Sequence, residues 1–152
     1  MEGTFLAPYA PGSLALRQLP LLEQACRALC IEPDVLLVNA TGRDHPRRAG
    51  LALHLGAVLG IATVGVTDRP LAASGGVPGP HHGDRARLLL DGEVVGYRLR
   101  TRTAARPVCV SAGWRTDPET AVAVVLAASP TERTPLPLRE ARRRARAARA
   151  FT

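Results

Sequence analysis

Val35-Leu36-Leu37-Val38-Asn39-Ala40-Thr41-Gly42-Arg43-Asp44-His45-Pro46-Arg47-Arg48-Ala49-Gly50 sets the architecture of this chain. Four consecutive Val or Leu residues end on a small polar amide. That pattern predicts a buried parallel strand over 35–39 that delivers one side chain to the carboxyl edge of a sheet. Gly42 and Pro46 break the pattern, and an apolar helical run starts near Ala49. Open α/β sheets place their sites at such strand ends. Phosphodiester chemistry would call for a metal-binding carboxylate at position 39; this chain has Asn39.

Residues 49–60 (Ala-Gly-Leu-Ala-Leu-His-Leu-Gly-Ala-Val-Leu-Gly) predict an almost wholly apolar helix that Gly60 ends. Its lone His54 is expected in the core rather than as a ligand. Residues 61–66 predict a second buried strand, which completes a βαβ unit. Upstream, Leu19, Leu22, Cys26 and Leu29 recur at helical spacing within 13–30. Ser13 is the expected cap, and Pro20 should break or kink this helix near Leu19, where Gln18 also lies. Ahead of it, Pro8-Tyr9-Ala10-Pro11-Gly12 forbids helix and holds an aromatic ring on a stiff turn. Such a tip could wedge between bases or simply staple the chain onto the next helix.

Downstream, residues 67–85 predict a long loop. Its His81-His82 pair has no evident third metal ligand, so a flexible loop is the expectation. Asp91-Gly92 signals a β-hairpin between 86–90 and 93–101. Arg98, Arg100 and Arg102 alternate along its second strand, either as a phosphate stripe or as a solvated face protecting an edge. A short strand follows at 107–111, and Ser111-Ala112-Gly113-Trp114 turns at its end. Asp117-Pro118 starts a helix over 118–128. Ser129 to Arg149 ends in an Arg/Ala helix whose guanidiniums cover most of its circumference, and solvent is their expected surrounding.

At 152 residues the chain makes one domain with a real core. It shows neither a signal peptide nor a run of apolar residues long enough to span a membrane, which leaves no role for a membrane. Cys26, Cys30 and Cys109 are an odd count without metal spacing, so a reduced, cytoplasmic protein is the expectation, with Cys26 and Cys30 on or near a core face. The net charge is +7 and all 20 basic residues are Arg. The charge alone supports phosphate partners and a coding bias equally.

Taken together, several stretches resemble one family, endonuclease V. They are Pro8-Tyr9-Ala10-Pro11-Gly12 followed by Leu14-Ala15-Leu16-Arg17; Pro33-Asp34 leading into 35–39; Gly42, His45-Pro46-Arg47-Arg48, Gly50 and Ala52; Thr63-Val64-Gly65-Val66; Asp91-Gly92; and Val110-Ser111-Ala112-Gly113. The resemblance implies an α/β fold, an RNase H-like mixed sheet flanked by helices, over 1–152. A wedge loop would occupy 1–12, the α/β core 13–128 and the Arg-rich C-terminal helix 129–152. It also implies magnesium-dependent hydrolysis of a phosphodiester near a deaminated purine, chiefly inosine, in DNA or RNA. Clustered carboxylates would hold the metal ions.

The departures fall on that chemistry. A family glutamate aligns with Gln18, an aspartate with Asn39, a glycine with Ala40, a lysine with Asp68 and a histidine with Trp114. The family's first catalytic aspartate lies on a strand ahead of the wedge, a region this chain lacks. A unit charge pair at 4 Å is worth about 4 kcal/mol at an effective dielectric of 20, and a divalent ion doubles it. Neutral amides supply none of this, so no resident metal is expected. The expected protein is an inactive relative with no intact catalytic residue. It would keep nucleic-acid binding through Pro8, Tyr9, Ala10, Pro11, Gly42, His45, Arg47 and Arg48. Two alternatives stay open: a protein-interaction module using the sheet edge next to Asn39, filled by a second copy or another protein, and an active nuclease with relocated ligands such as Asp44 or Glu23.

Overall fold

The computed structural model describes residues 14–149. The order is α1 (Leu14–Arg27), β1 (Val35–Val38), α2 (Leu51–Leu59), β2 (Ala62–Thr67), β3 (Arg85–Leu90), β4 (Glu93–Leu99), β5 (Val108–Ala112), α3 (Pro118–Ala127) and α4 (Leu136–Arg149). Five strands form one sheet in the order β1-β2-β5-β4-β3. β1 and β2 are parallel and joined through α2, as the sequence pattern requires; all other pairs are antiparallel.

Alternation along the strands feeds two cores. One face carries Val64, Val66, Val108, Val110, Tyr97 and Leu99 against α3, with Leu138 of α4 joining them. The other carries Leu36 and Val38 against α2, where Leu51, Ala52 and Leu55 meet Leu19, Leu22 and Cys26 of α1. Each such Leu or Val contributes about 1.5–3 kcal/mol by leaving water. A smaller cluster of Ala73, Leu88, Val95 and Cys109 lies under the loop after β2.

Local chemistry explains the boundaries. Gly60 ends α2 at φ 73°, a left-handed position open to glycine at no steric cost. Asp91 and Gly92 turn the β3–β4 hairpin at φ 50° and 80°, the two positive values a type I′ turn needs. Asp117 caps α3 by accepting from the Glu119 and Thr120 amides, with Pro118 in the first turn.

Four expectations need correcting. α1 runs unbroken through Pro20, because Leu19, Leu22 and Cys26 pack on α2 and β1 and hold the helix together; proline costs an interior helix about 3 kcal/mol, which this packing offsets. His54 is exposed on the outer side of α2, not in the core. The 67–85 loop is fastened rather than loose: Gly83 donates to the Arg100 carbonyl, Arg100 to that of Asp84, and His82 Nδ1 lies 2.8 Å from the Thr101 carbonyl. Finally, Arg98, Arg100 and Arg102 form no stripe, since β4 ends at Leu99. Arg100 binds the Gly79, Pro78 and Ala105 carbonyls, and Arg102 pairs with Glu132. Of the two N-terminal thiols, Cys26 is half-buried and Cys30 is exposed.

The chain leaving β1 folds back across the sheet. Gly42 donates to Ser111 Oγ at 2.8 Å and Arg43 to the Ala112 carbonyl at 2.8 Å, so residues 40–43 cross β2 to reach β5. The crossing passes over Gly65. A methyl there would fall on the Ala40 carbonyl and 2.7 Å from the Gly42 amide. Gly65→Ala is therefore expected to cost about 1–3 kcal/mol through overpacking against backbone that cannot yield. Urea unfolding of the variant measures this; an unchanged midpoint would show that the loop takes another path.

Candidate nucleic-acid interface at the carboxyl edge

β1 and β2 end side by side and present Asn39 and Asp68 at one edge of the sheet. Both are exposed, and both are engaged by guanidiniums from the C-terminal region. Arg142 of α4 donates through Nη2 to Asn39 Oδ1 at 2.8 Å. Arg133, in the turn before α4, donates through Nη2 to Asp68 Oδ1 at 2.7 Å. Arg133 also binds the Arg106 carbonyl at 2.8 Å and that of Pro107 at 3.2 Å, which fixes it beside β5. The hydrogen bond from Arg133 holds the Asp68 carboxyl below the usual carboxylate range, and the charges of Arg142 and Arg106 add to this.

Beside Asp68 opens a cavity of about 440 Å³. Arg69, Arg98 and Arg106 line it together with Cys109. Arg98 Nε is buried there without a partner among the described residues. Burial pushes the Cys109 thiol up to about 11, so it stays protonated and is no nucleophile. A second groove of about 300 Å³ runs along α4 between Arg139, Arg142, Arg143 and Arg146. Positive charge thus collects at this edge, where Asp68, Glu132 and Glu140 already have arginine partners.

The donor set at Asn39 does not suit a magnesium ion. Its one carbonyl oxygen is neutral and already accepts from a cation. Among the described residues no three His, Cys, Asp or Glu side chains gather to hold a metal. Magnesium wants an octahedron of oxygens with at least one carboxylate. Asp44, a sequence candidate for a relocated ligand, is committed elsewhere. It is 1% exposed and accepts from the backbone amides of Leu71, Ala72 and Ala73 at 2.7–2.8 Å. It clamps the loop after β1 to the loop after β2. Glu23 pairs with Arg27 one turn along α1.

The other residues read from the sequence are scattered. Gln18 is half-buried on α1. Trp114 follows β5 and stands beside Thr63, at the other end of β2 from Asp68. It packs close on Gly56, which leaves no room there for a side chain. Gly42 is buried within the loop crossing. His45 is 8% exposed, and its Nδ1 accepts from the Arg47 amide at 3.2 Å. Burial holds its imidazole below the usual range, and Arg47 and His54 push the same way. Arg47 points to solvent. Arg48 sits at φ 54° and spends its guanidinium on Glu93, Asp91 and the Leu90 carbonyl, fastening the loop to the hairpin turn. Pro8, Tyr9, Ala10 and Pro11 lie outside the described residues, as does Ser13. The sequence reading missed Arg142, Arg133 and the clamp role of Asp44. Arg142 and Asn39 are 103 positions apart, and no local signal links them.

Sheet order, flanking helices and a strand-end site define an RNase H-like α/β protein with a basic edge. The comparisons make this specific. Residues 1–143 match the Endonuclease V family. The Endonuclease V of Nocardia farcinica is 48% identical over 147 residues, covering 97% of this chain and 65% of the relative. The crystal structure of the Endonuclease V from Streptomyces avermitilis superposes with a TM-score of 0.89 at 40% identity, covering 95% of this chain and 63% of that one. The fold is also that of Ciona intestinalis Endonuclease V, solved with a 23-mer DNA containing an inosine followed by a ribo-adenosine (TM-score 0.82, 24% identity, 95% and 68% covered). This chain belongs to the endonuclease V family. It spans 65% of the length of the Nocardia relative and 63% of the Streptomyces one. No helix among the described residues is long and apolar enough to cross a membrane.

Removing the Asp44 clamp tests the geometry of the edge. Asp44→Asn leaves buried amides facing an NH₂ group in place of an oxygen, and a loss of about 2–4 kcal/mol is expected. Chemical denaturation reads it directly; a loss under about 0.5 kcal/mol would mean that water replaces the carboxylate.

Proposed function

We propose that this chain is a nucleic-acid-binding member of the endonuclease V family that does not cut phosphodiesters, and that its preferred ligand is inosine-containing DNA or RNA. One observation carries the reading: Asn39, directly after β1, is a neutral amide occupied by Arg142, and no group of three metal-binding side chains stands near it among the described residues. A hydrolytic site needs charge on that oxygen to fix a metal ion and lower the pKa of its water. Binding needs only phosphate-seeking cations and a wedge, and both are in the sequence. Tyr9 with Pro8, Ala10 and Pro11 would unstack a base at a cost of a few kcal/mol. The exposed Arg47 and the arginines of the carboxyl edge would hold the backbone.

The test has two arms. With magnesium or manganese, an inosine-containing oligonucleotide is expected to stay uncut; cleavage would instead favour relocated ligands. At low salt, the same oligonucleotide is expected to be retained more strongly than its unmodified counterpart, with an affinity that falls steeply as salt rises. Equal and negligible retention of both ends the binding reading.

A second reading rests on the sheet edges. Ser74 bridges to Leu89 and shields the β3 edge, whereas β1 pairs only on its β2 side among the described residues. An apolar edge strand with free amides accepts a partner strand, from a second copy or another protein. Size-exclusion chromatography with light scattering is then expected to give a dimer at micromolar concentration; a clean monomer removes self-pairing.

A further inference from the structure

The contact between Arg142 and Asn39 changes what position 39 is for. A lost carboxylate need not leave a vacant ligand; here the amide oxygen holds a guanidinium at the strand end. We propose that Arg142 stands in for a divalent cation and grips a backbone phosphate of a bound strand directly, with Asn39 as its positioning residue. This inference rests on the nucleic-acid reading above.

Three observations support it. First, the partner is neutral. Asn39 orients the guanidinium through one donor, neutralises none of its charge and leaves its remaining donors available, and guanidinium matches a phosphate in a bidentate fork. An aspartate at 39 would neutralise it. Second, the neighbourhood favours an anion. Arg139, Arg142, Arg143 and Arg146 share one groove. The acids paired with members of this group are Glu132, 3.6 Å from Arg139, and Glu140, 2.8 Å from Arg143. Neither pairs with Arg142. Asp68, the remaining acid at the edge, is taken by Arg133 at 2.7 Å. Third, α4 carries Arg142 to the strand end on a helix that buries little. Leu138 is its single buried residue among those described; the Leu136 amide on the Ala128 carbonyl and the Arg139–Glu132 pair hold its first turn, and the Arg142 bond ties the next turn to the strand end.

The proposal separates cleanly from a weakened metal site. Oligonucleotide affinity is measured by fluorescence anisotropy across a salt series, with EDTA and with magnesium at matched ionic strength. EDTA is expected to change nothing. Arg142→Gln should weaken binding about tenfold and lower the salt slope by about 0.7–0.9, the signature of one lost phosphate contact. Arg144→Gln, about 200° further round the helix, removes equal charge from the opposite face and should have less than a third of that effect. Asn39→Asp should also weaken binding several-fold, and magnesium should not restore it. Circular dichroism and thermal melting confirm that each variant is folded, and Arg142→Lys gives a charged variant that keeps α4 intact should Arg142→Gln fray it. Binding by the wild type that needs magnesium overturns the proposal, as does tighter magnesium-dependent binding by Asn39→Asp. Binding that is equal in wild type and Arg142→Gln overturns it too, yet leaves the nucleic-acid reading standing. No binding by any form removes both.

Discussion

The fold hangs on a backbone crossing. Residues 40–43 leave β1, pass over Gly65 and hydrogen-bond to Ser111 and Ala112 on β5. Three things have to be true for this. Position 65 has to lack a side chain, Gly42 has to approach β5 closely, and the loop has to be held down from outside. Asp44 meets the last condition with its three amide contacts to Leu71, Ala72 and Ala73. The same crossing starts α2, because the Gly42 and Thr41 carbonyls accept from the Gly50 and Ala52 amides. Gly50 carries no capping side chain, so the loop backbone performs that role. One crossing therefore fixes where β1 ends, where α2 begins and which way Asn39 faces.

Much of this was legible in the chain. Val35–Val38, the apolar run 51–59 and Ala62–Thr67 are a βαβ unit whose periods are unambiguous, and Asp91-Gly92 and Asp117-Pro118 carry local steric and capping signals. Local signals failed where tertiary forces won. Pro20 weakens α1 locally, but packing on α2 overrides it. His54 sits among apolar residues in sequence yet on the wet side of α2, since helix phase and not neighbourhood decides burial. Arg100 belongs to a phosphate stripe or a solvated face only if alternation continues past Leu99, where β4 ends; it instead gathers the Pro78, Gly79 and Ala105 carbonyls.

The site was legible in part and for a different reason. Asn39 and Asp68 could be placed at strand ends, because strand ends are readable. Their partners could not, because Arg133 lies in a turn and Arg142 on a basic helix whose expected surrounding is solvent. Nothing in an Arg/Ala run says which guanidinium will find an acceptor. Asp44 shows the same limit from the other side. A loop aspartate next to a histidine looks like a spare ligand, whereas a buried carboxylate ringed by amides is a clamp. Such a group is stabilised by the charge-assisted bonds it accepts and is unavailable to any ion.

Read as a pair, the substitutions at the carboxyl edge are opposite in sign. The resemblance sets an acid at position 39 and a cation at position 68; this chain has an amide and an acid. Had each change stood alone, the edge would have lost one negative and one positive charge and gained a repulsive carboxylate. Instead each new side chain has a guanidinium from the same C-terminal segment, Arg142 on Asn39 and Arg133 on Asp68. Asp68 with Arg133 is a neutral pair, and surface pairs of this kind contribute at most about 1 kcal/mol to stability. Its main effect is local: it silences an acid that would repel phosphate. Arg142 on a neutral amide is not silenced. On the proposed reading, this edge carries its own cation, Arg142 on a neutral amide, where a carboxylate would have held one, an arrangement that suits gripping a phosphate rather than activating a water.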